Sequence, residues 1–210
     1  MELITEGIMG LMKEIYVLLS YTGTWFSRLI RVFTHSKYTH ASIALDENCT
    51  DLFGFSRRTL RPYPAGFMKE DLKKGVFGKN PKSKCAMFRA RVDNETYAKI
   101  REELLRMYAH KDFFSYNYVS PFLCFFRIPH HSGAKYFCSE FVAEILDKNG
   151  IITLEKPASL VKPKDLARYN DLTLVYTGTI GDLERRSRMA QVVDLDAYTR
   201  PASIRKTAAL

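Results

Sequence analysis

The chain has 210 residues, 46% apolar and 26% charged, with a formal net charge of +9; this suits one globular domain with a full core and excludes a disordered or fibrous chain. The start of the chain carries Glu2 and Glu6 and lacks a basic leader, a long apolar run and a small-residue cleavage site, so no secretory signal is expected. The most apolar runs, IYVLLSY at 15–21 and PFLCFF at 121–126, fall well short of the roughly 20 residues of a spanning helix. Cys49, Cys85, Cys124 and Cys138 stand singly, in no CxxC pair or framework spacing, as in a cytoplasmic protein with reduced thiols.

Residues 1–14 read as a weakly helical lead-in, 15–181 as the domain, and 182–210 as a peripheral or disordered tail, because ERRSR and RPASIRK are polar and aperiodic. The run 15–21 suits a buried strand ended by Thr22 and Gly23. Thr24 can cap a helix ending near His35, with Phe26, Leu29, Ile30 and Phe33 on one face. A hairpin follows, with strands at 41–45 and 51–56 around the turn Asp46, Glu47, Asn48.

Residues 59–83, rich in Pro, Gly and Lys, predict a surface excursion without long regular elements, a candidate lid. A strand at 85–92 then precedes a helix capped by Asn94, whose Tyr97, Ile100, Leu104, Leu105 and Tyr108 share a face. The aromatic run FFSYNYVSPFLCFF predicts a turn and a short helix, and IPHHSGAKY a loop. CSEFVAEILDKNG reads as a helix closed by Asn149 and Gly150. A short helix from Pro163 and a last strand at 172–180 complete the domain.

Between Arg57 and Arg91 eleven Lys or Arg face only Glu70 and Asp71, which predicts a positive face able to meet an anionic surface. No nucleic-acid motif accompanies it. His130 and His131 fit no structural zinc spacing with Cys124 or Cys138, so neither a metal nor another cofactor is expected. His131 reads instead as a rim residue that contacts substrate.

Cys138 opens its helix, where free backbone N–H groups and the dipole favour a thiolate. Periodicity alone would place it in the core, since Cys138, Phe141, Val142, Ile145 and Leu146 form one apolar stripe. His40, at a strand start, supplies the imidazole a thiol nucleophile requires.

HASIAL, a return strand, a Tyr-containing segment and then YFCSEFVAEIL resemble the YiiX-like permuted branch of the NlpC-type papain-like cysteine hydrolases. The resemblance covers about 15–180, including the opening IYVLLSYTG and SLVKPKDLARY. It implies an α+β fold in circularly permuted order, an antiparallel sheet packed against helices that include the Cys-bearing one. It also implies Cys138 as nucleophile, His40 as base and Tyr116 beside the active site. Members often place a polar or acidic residue on the return strand to orient the histidine, where this chain has Gly54. Ser56, Asp51 and Asp46 are the positional candidates for that third member.

The leading expectation is therefore a thiol-dependent hydrolase or acyltransferase acting on an amide, ester or thioester of a peptide, isopeptide or acyl-lipid substrate. Two alternatives compete: a binding module of the same fold with decayed catalytic geometry, favoured by Gly54, and a membrane-surface lipid acyltransferase, favoured by the basic excursion and the apolar 121–126 run.

Overall fold

The computed structural model describes residues 12–21, 37–58 and 63–199, the part beyond 191 by backbone alone. The expected helix at 24–35 with His35, the lead-in before residue 12 and the tail beyond 199 lie outside the described residues. Eight strands, β1 (Met12–Ser20), β2 (His40–Ala44), β3 (Leu52–Arg57), β4 (Ala65–Glu70), β5 (Lys84–Asp93), β6 (Ser115–Tyr116), β7 (Lys135–Tyr136) and β8 (Thr173–Thr179), form one sheet in the order β7-β6-β4-β3-β2-β1-β5-β8. All neighbours are antiparallel except β6 and β7. The described helices are α1 (Gly75–Lys79), α2 (Asn94–Ala109), α3 (Ser120–Phe125), α4 (Cys138–Lys148), α5 (Pro163–Leu166) and α6 (Ile180–Thr199). The fold is thus mixed α+β with a mostly antiparallel open sheet.

The central strands are apolar on both sides because both sides are covered. On one side Ile15, Val17 and Leu19 of β1, with Ala41 and Ile43 of β2 and Phe53 and Phe55 of β3, pack against Phe141, Val142, Ile145 and Leu146 of α4 and Ile100 and Leu104 of α2. On the other, Tyr16, Leu18, Ala44, Leu52 and Met87 meet Leu72, Phe77 of α1, and Ile180 and Leu183 of α6.

Three expectations change here. The strand at 15–21 starts earlier, at Met12, so the end of the expected lead-in helix is sheet. The cap of α2 is Asp93, whose carboxylate accepts the Thr96 N–H at 2.8 Å, with Asn94 already helical; such a cap contributes about 1 kcal/mol. The expected strand at 172–180 ends at Thr179, and α6 runs from Ile180 into the expected tail, with Ile180 and Leu183 0% and 1% exposed. Burying each of these side chains contributes roughly 1.5–3 kcal/mol, so this part of the chain is a layer of the domain. Its polar, aperiodic composition hid two anchors in one turn.

The excursion at 59–83 also carries regular structure. β4 pairs along β3 from Leu52 opposite Glu70 to Arg57 opposite Ala65, and α1 follows. Several cations of the basic stretch meet acids. Arg58 pairs with Asp112, Lys69 with Asp51, Lys73 with Glu184, Lys74 with Asp71, and Arg89 and Arg91 with Glu14. Most of these acids come from outside the stretch, so its charge is partly balanced by the fold.

α4, the helix that carries Cys138, ends as its sequence predicts. Gly150 adopts φ +68, its N–H reaches the Asp147 carbonyl and the Ile151 N–H the Leu146 carbonyl, both at 2.9 Å. This is the doubly bonded glycine stop that satisfies the last carbonyls of a helix.

Candidate active site

α4 lies across β2 and β3 on one side of the sheet, held by Phe141, Val142, Ile145 and Leu146. That packing brings its first residue, Cys138, to the end of the sheet where β2 begins. The thiol sulfur lies 3.9 Å from the Thr39 carbonyl oxygen. The next residue, His40, sets its imidazole beside Cys138, close enough for the thiol to help hold the ring protonated. Thiol and imidazole are thus brought together across almost a hundred residues, and both are buried, at 3% and 6% exposure.

Each residue after Cys138 has a separate task. Ser139 Oγ donates to the Val161 carbonyl at 2.7 Å, tying the helix start to the chain before α5. The Glu140 carboxylate reaches back to accept the Phe137 N–H at 3.3 Å, the half of a capping box that a glutamate at the third helical position supplies. Phe141 points into the core.

The other side of the imidazole meets a residue the sequence reading left out. His40 Nε2 lies 2.9 Å from Glu70 Oε1 and 3.1 Å from Ser42 Oγ, while the Ser42 hydroxyl donates to Glu70 Oε2. Ser56 lies close enough to the Glu70 carboxylate to help hold it ionised. The ring of Phe77 stands 6.0 Å from that of His40, centroid to centroid, and closes the cluster from α1.

Glu70 reaches this position because Gly54 has no side chain. The registers place Ser42 and Gly54 side by side on neighbouring strands, with Glu70 one step along β4. A β-carbon on Gly54 would stand 2.9 Å from Glu70 Oε2 and 3.1 Å from Ser42 Oγ. The carboxylate therefore occupies the space over Gly54. A carboxylate beside His40 thus comes from the strand after the return strand, across the glycine.

This corrects the third-member candidates. Asp51 pairs with Lys69 Nζ at 2.6 Å on the hairpin surface, and Asp46 accepts the Thr50 and Asp51 N–H groups inside the turn. Turn chemistry claims both. Ser56 touches the cluster through Glu70. Glu70 was hidden in a segment whose prolines and glycines argued against a strand. The available signal was the alternation Ala65, Phe67 inward on one side and Gly66, Met68, Glu70 on the other.

The electrostatics follow from these contacts. Burial alone would push His40 down, but the Glu70 carboxylate and the hydrogen bonds to Cys138 and Glu70 outweigh it and hold the imidazole up to about 10. Burial would raise Glu70, yet the His40 charge and the hydrogen bonds from His40, Ser42 and Ser56 hold it below its ordinary value. The pair is accordingly an imidazolium facing a carboxylate. The other thiols differ: burial pushes Cys49 and Cys85 up to about 12 and raises Cys124.

Tyr116 ends β6. Burial, then the charge of Cys138 and Tyr118 and a hydrogen bond to Cys138, push its phenol well above the ordinary value, so it remains an O–H donor. His131 is half exposed, with Nδ1 3.2 Å from Glu140 Oε1 and its ring edge-on to Tyr136. It stands over the start of α4, its near contact being the glutamate two residues past the thiol. A cavity of about 830 Å³ lies on the α6 side of the sheet and touches the cluster at Ser56, Glu70 and Phe77. Among the described residues, no helix is long and apolar enough to cross a membrane, and no group of three metal-ligating side chains converges.

No family model matches the chain, and no curated protein matches it.

Proposed function

We propose that the protein is a thiol-dependent hydrolase or acyltransferase in which Cys138 attacks an amide, ester or thioester carbonyl, with His40 as base and acid and Glu70 as the residue that orients and charges His40. The single observation that carries this reading is the line Cys138–His40–Glu70, three side chains from separate elements, with the imidazole bonded to the carboxylate at 2.9 Å and set beside the thiol. A buried cysteine serving only the core needs no imidazole, and a buried imidazole serving only the core needs no carboxylate.

In the first step the Cys138 sulfur, whose proton His40 already holds in the imidazolium, bonds to the carbonyl carbon, leaving negative charge on the carbonyl oxygen. The Cys138 N–H, at the first position of α4, has no acceptor within the helix and is available to that oxyanion. The Tyr116 hydroxyl is the second donor at hand. His40 then protonates the leaving amine, alkoxide or thiolate, giving a thioester on Cys138. Water or another nucleophile, deprotonated by His40, attacks it and releases the thiol.

A circularly permuted papain-like domain is part of the proposal. Its support is chain order: the His-bearing strand, then the acid-bearing strand, then the Cys-bearing helix packed on an antiparallel sheet. The competing binding module drew its strength from Gly54, and Glu70 over that glycine removes that support.

Incubation with a p-nitrophenyl ester or an aryl thioester, followed by an acid quench and intact mass, should give one acyl adduct, mapping to Cys138 and absent from Cys138→Ala. An adduct shared among the four cysteines, or none at all, would contradict the assignment.

A further inference from the structure

From Phe113 to Ser139 the chain contains no Asp or Glu, while Arg127 and Lys135 are cationic and His130 and His131 can become so. The same stretch holds the densest set of exposed large apolar side chains among the described residues: Val119 is 59% exposed, Phe126 67% and Ile128 51%, with Phe122 at 42% on α3. Arg127, between Phe126 and Ile128, adopts φ +59, a left-handed conformation uncommon for a non-glycine residue. It falls at the turn that follows α3, whose last bonds run from the Arg127 N–H to the Cys124 carbonyl at 3.2 Å and from the Ile128 N–H to the Leu123 carbonyl at 2.9 Å. The segment is tied down: Asn117 Oδ1 accepts the Val119 and Ser120 N–H groups, and Ser120 Oγ donates to the His130 carbonyl at 3.2 Å. Cys124, 3% exposed, anchors α3 from beneath.

An ordered, exposed apolar ridge that carries cations and no acid of its own is the chemistry of an interfacial membrane contact. A protein partner of ordinary composition would ask for acceptors and acids at the rim to match its own lysines and arginines. We propose that the α3 ridge, with Val119, Phe126 and Ile128 as apolar contacts and Arg127 and Lys135 as headgroup contacts, docks this protein on an anionic lipid bilayer. Docking is independent of the thiol chemistry, but its location matters to it. The Asn117 N–H bonds the Tyr136 carbonyl at 2.9 Å, which places the ridge beside Tyr116 and the strand that leads into Cys138.

The experiment is co-sedimentation of the full chain with vesicles of phosphatidylcholine alone or with about 30 mol% phosphatidylserine. Binding should be at least about tenfold stronger to the anionic vesicles, weaken with added salt, and fall about tenfold or more in the double variant Phe126→Asp, Ile128→Asp. Cys138→Ala should bind like wild type, which separates this result from the fate of the enzyme reading. If the double variant misfolds, Phe126→Trp supplies the second readout, an added emission that shifts to the blue on anionic vesicles. Equal binding to both vesicle types, binding that ignores Phe126 and Ile128, or an added emission that does not shift in Phe126→Trp would overturn the proposal. So would self-association of the protein that the same substitutions abolish while vesicle binding is absent.

Discussion

Glu70→Gln should lower the rate of Cys138 acylation by roughly 10²–10⁴-fold, and Glu70→Ala should in addition cost roughly 3–5 kcal/mol of stability. Glu70 is 5% exposed and holds His40 at 2.9 Å. Removing its charge leaves burial as the main influence on the imidazole, which then falls toward the neutral form. The pH dependence of stability reports the same pair. The folded-state value of His40, about 10, lies above its ordinary 6.5, so its contribution is complete below pH 6.5 and lost as pH rises through about 10. Glu70 is held below 4.5, so its contribution is present above 4.5 and lost as pH falls through the lower folded value. Urea midpoints of the wild type should therefore decline between pH 6.5 and about 10, and those of Glu70→Gln should stay nearly flat there. Equal slopes would show that the pair carries no charge.

Gly54→Val should reproduce much of the Glu70→Gln defect although it alters no ionisable group. The first added carbon already stands 2.9 Å from Glu70 Oε2 and 3.1 Å from Ser42 Oγ, and a branched side chain has no room unless the carboxylate leaves. Overpacking of this kind costs roughly 1–3 kcal/mol. Crystal structures, or the imidazole proton resonances of His40, should show the Glu70 contact broken. A Gly54→Val protein that keeps wild-type acylation rates would mean that Glu70 is not the orienting group. Strand β3 favours a valine on propensity, so a loss cannot be assigned to a weakened strand.

The fold was legible wherever an element carried its own signal. The hairpin of β2 and β3, the α4 helix with its Gly150 stop, and β5 follow from alternation, periodicity and turn residues that the structure leaves in place. Elements failed where punctuation and pattern disagreed. In β4, Pro62, Pro64 and Gly66 outweighed a short alternation, yet pairing along β3 and burial of Phe67 between Phe53 and Phe55 decide the backbone. In α6, two buried residues in one turn suffice, against a polar remainder.

The site divides the same way. Cys138 and His40 could be named because a helix start and a strand start each mark a position with chemical consequences. Glu70 could not, because its role depends on two neighbouring strands and on the absence of a side chain at Gly54. A glycine in the middle of a strand weakens it, and here it makes room for a carboxylate. Gly54, read as a gap beside the histidine, is the feature that admits the Glu70 carboxylate there.

The most direct test of the central claim is site-resolved alkylation of the native protein by iodoacetamide across pH 6 to 9. Cys138 should be modified first in the native protein, and Cys49, Cys85 and Cys124 should react only on unfolding. His40→Ala and Glu70→Gln should each remove that advantage. If Cys138 is as inert as the other three, or its rate does not depend on His40 and Glu70, the line from Cys138 through His40 to Glu70 is structural and the enzyme reading is wrong.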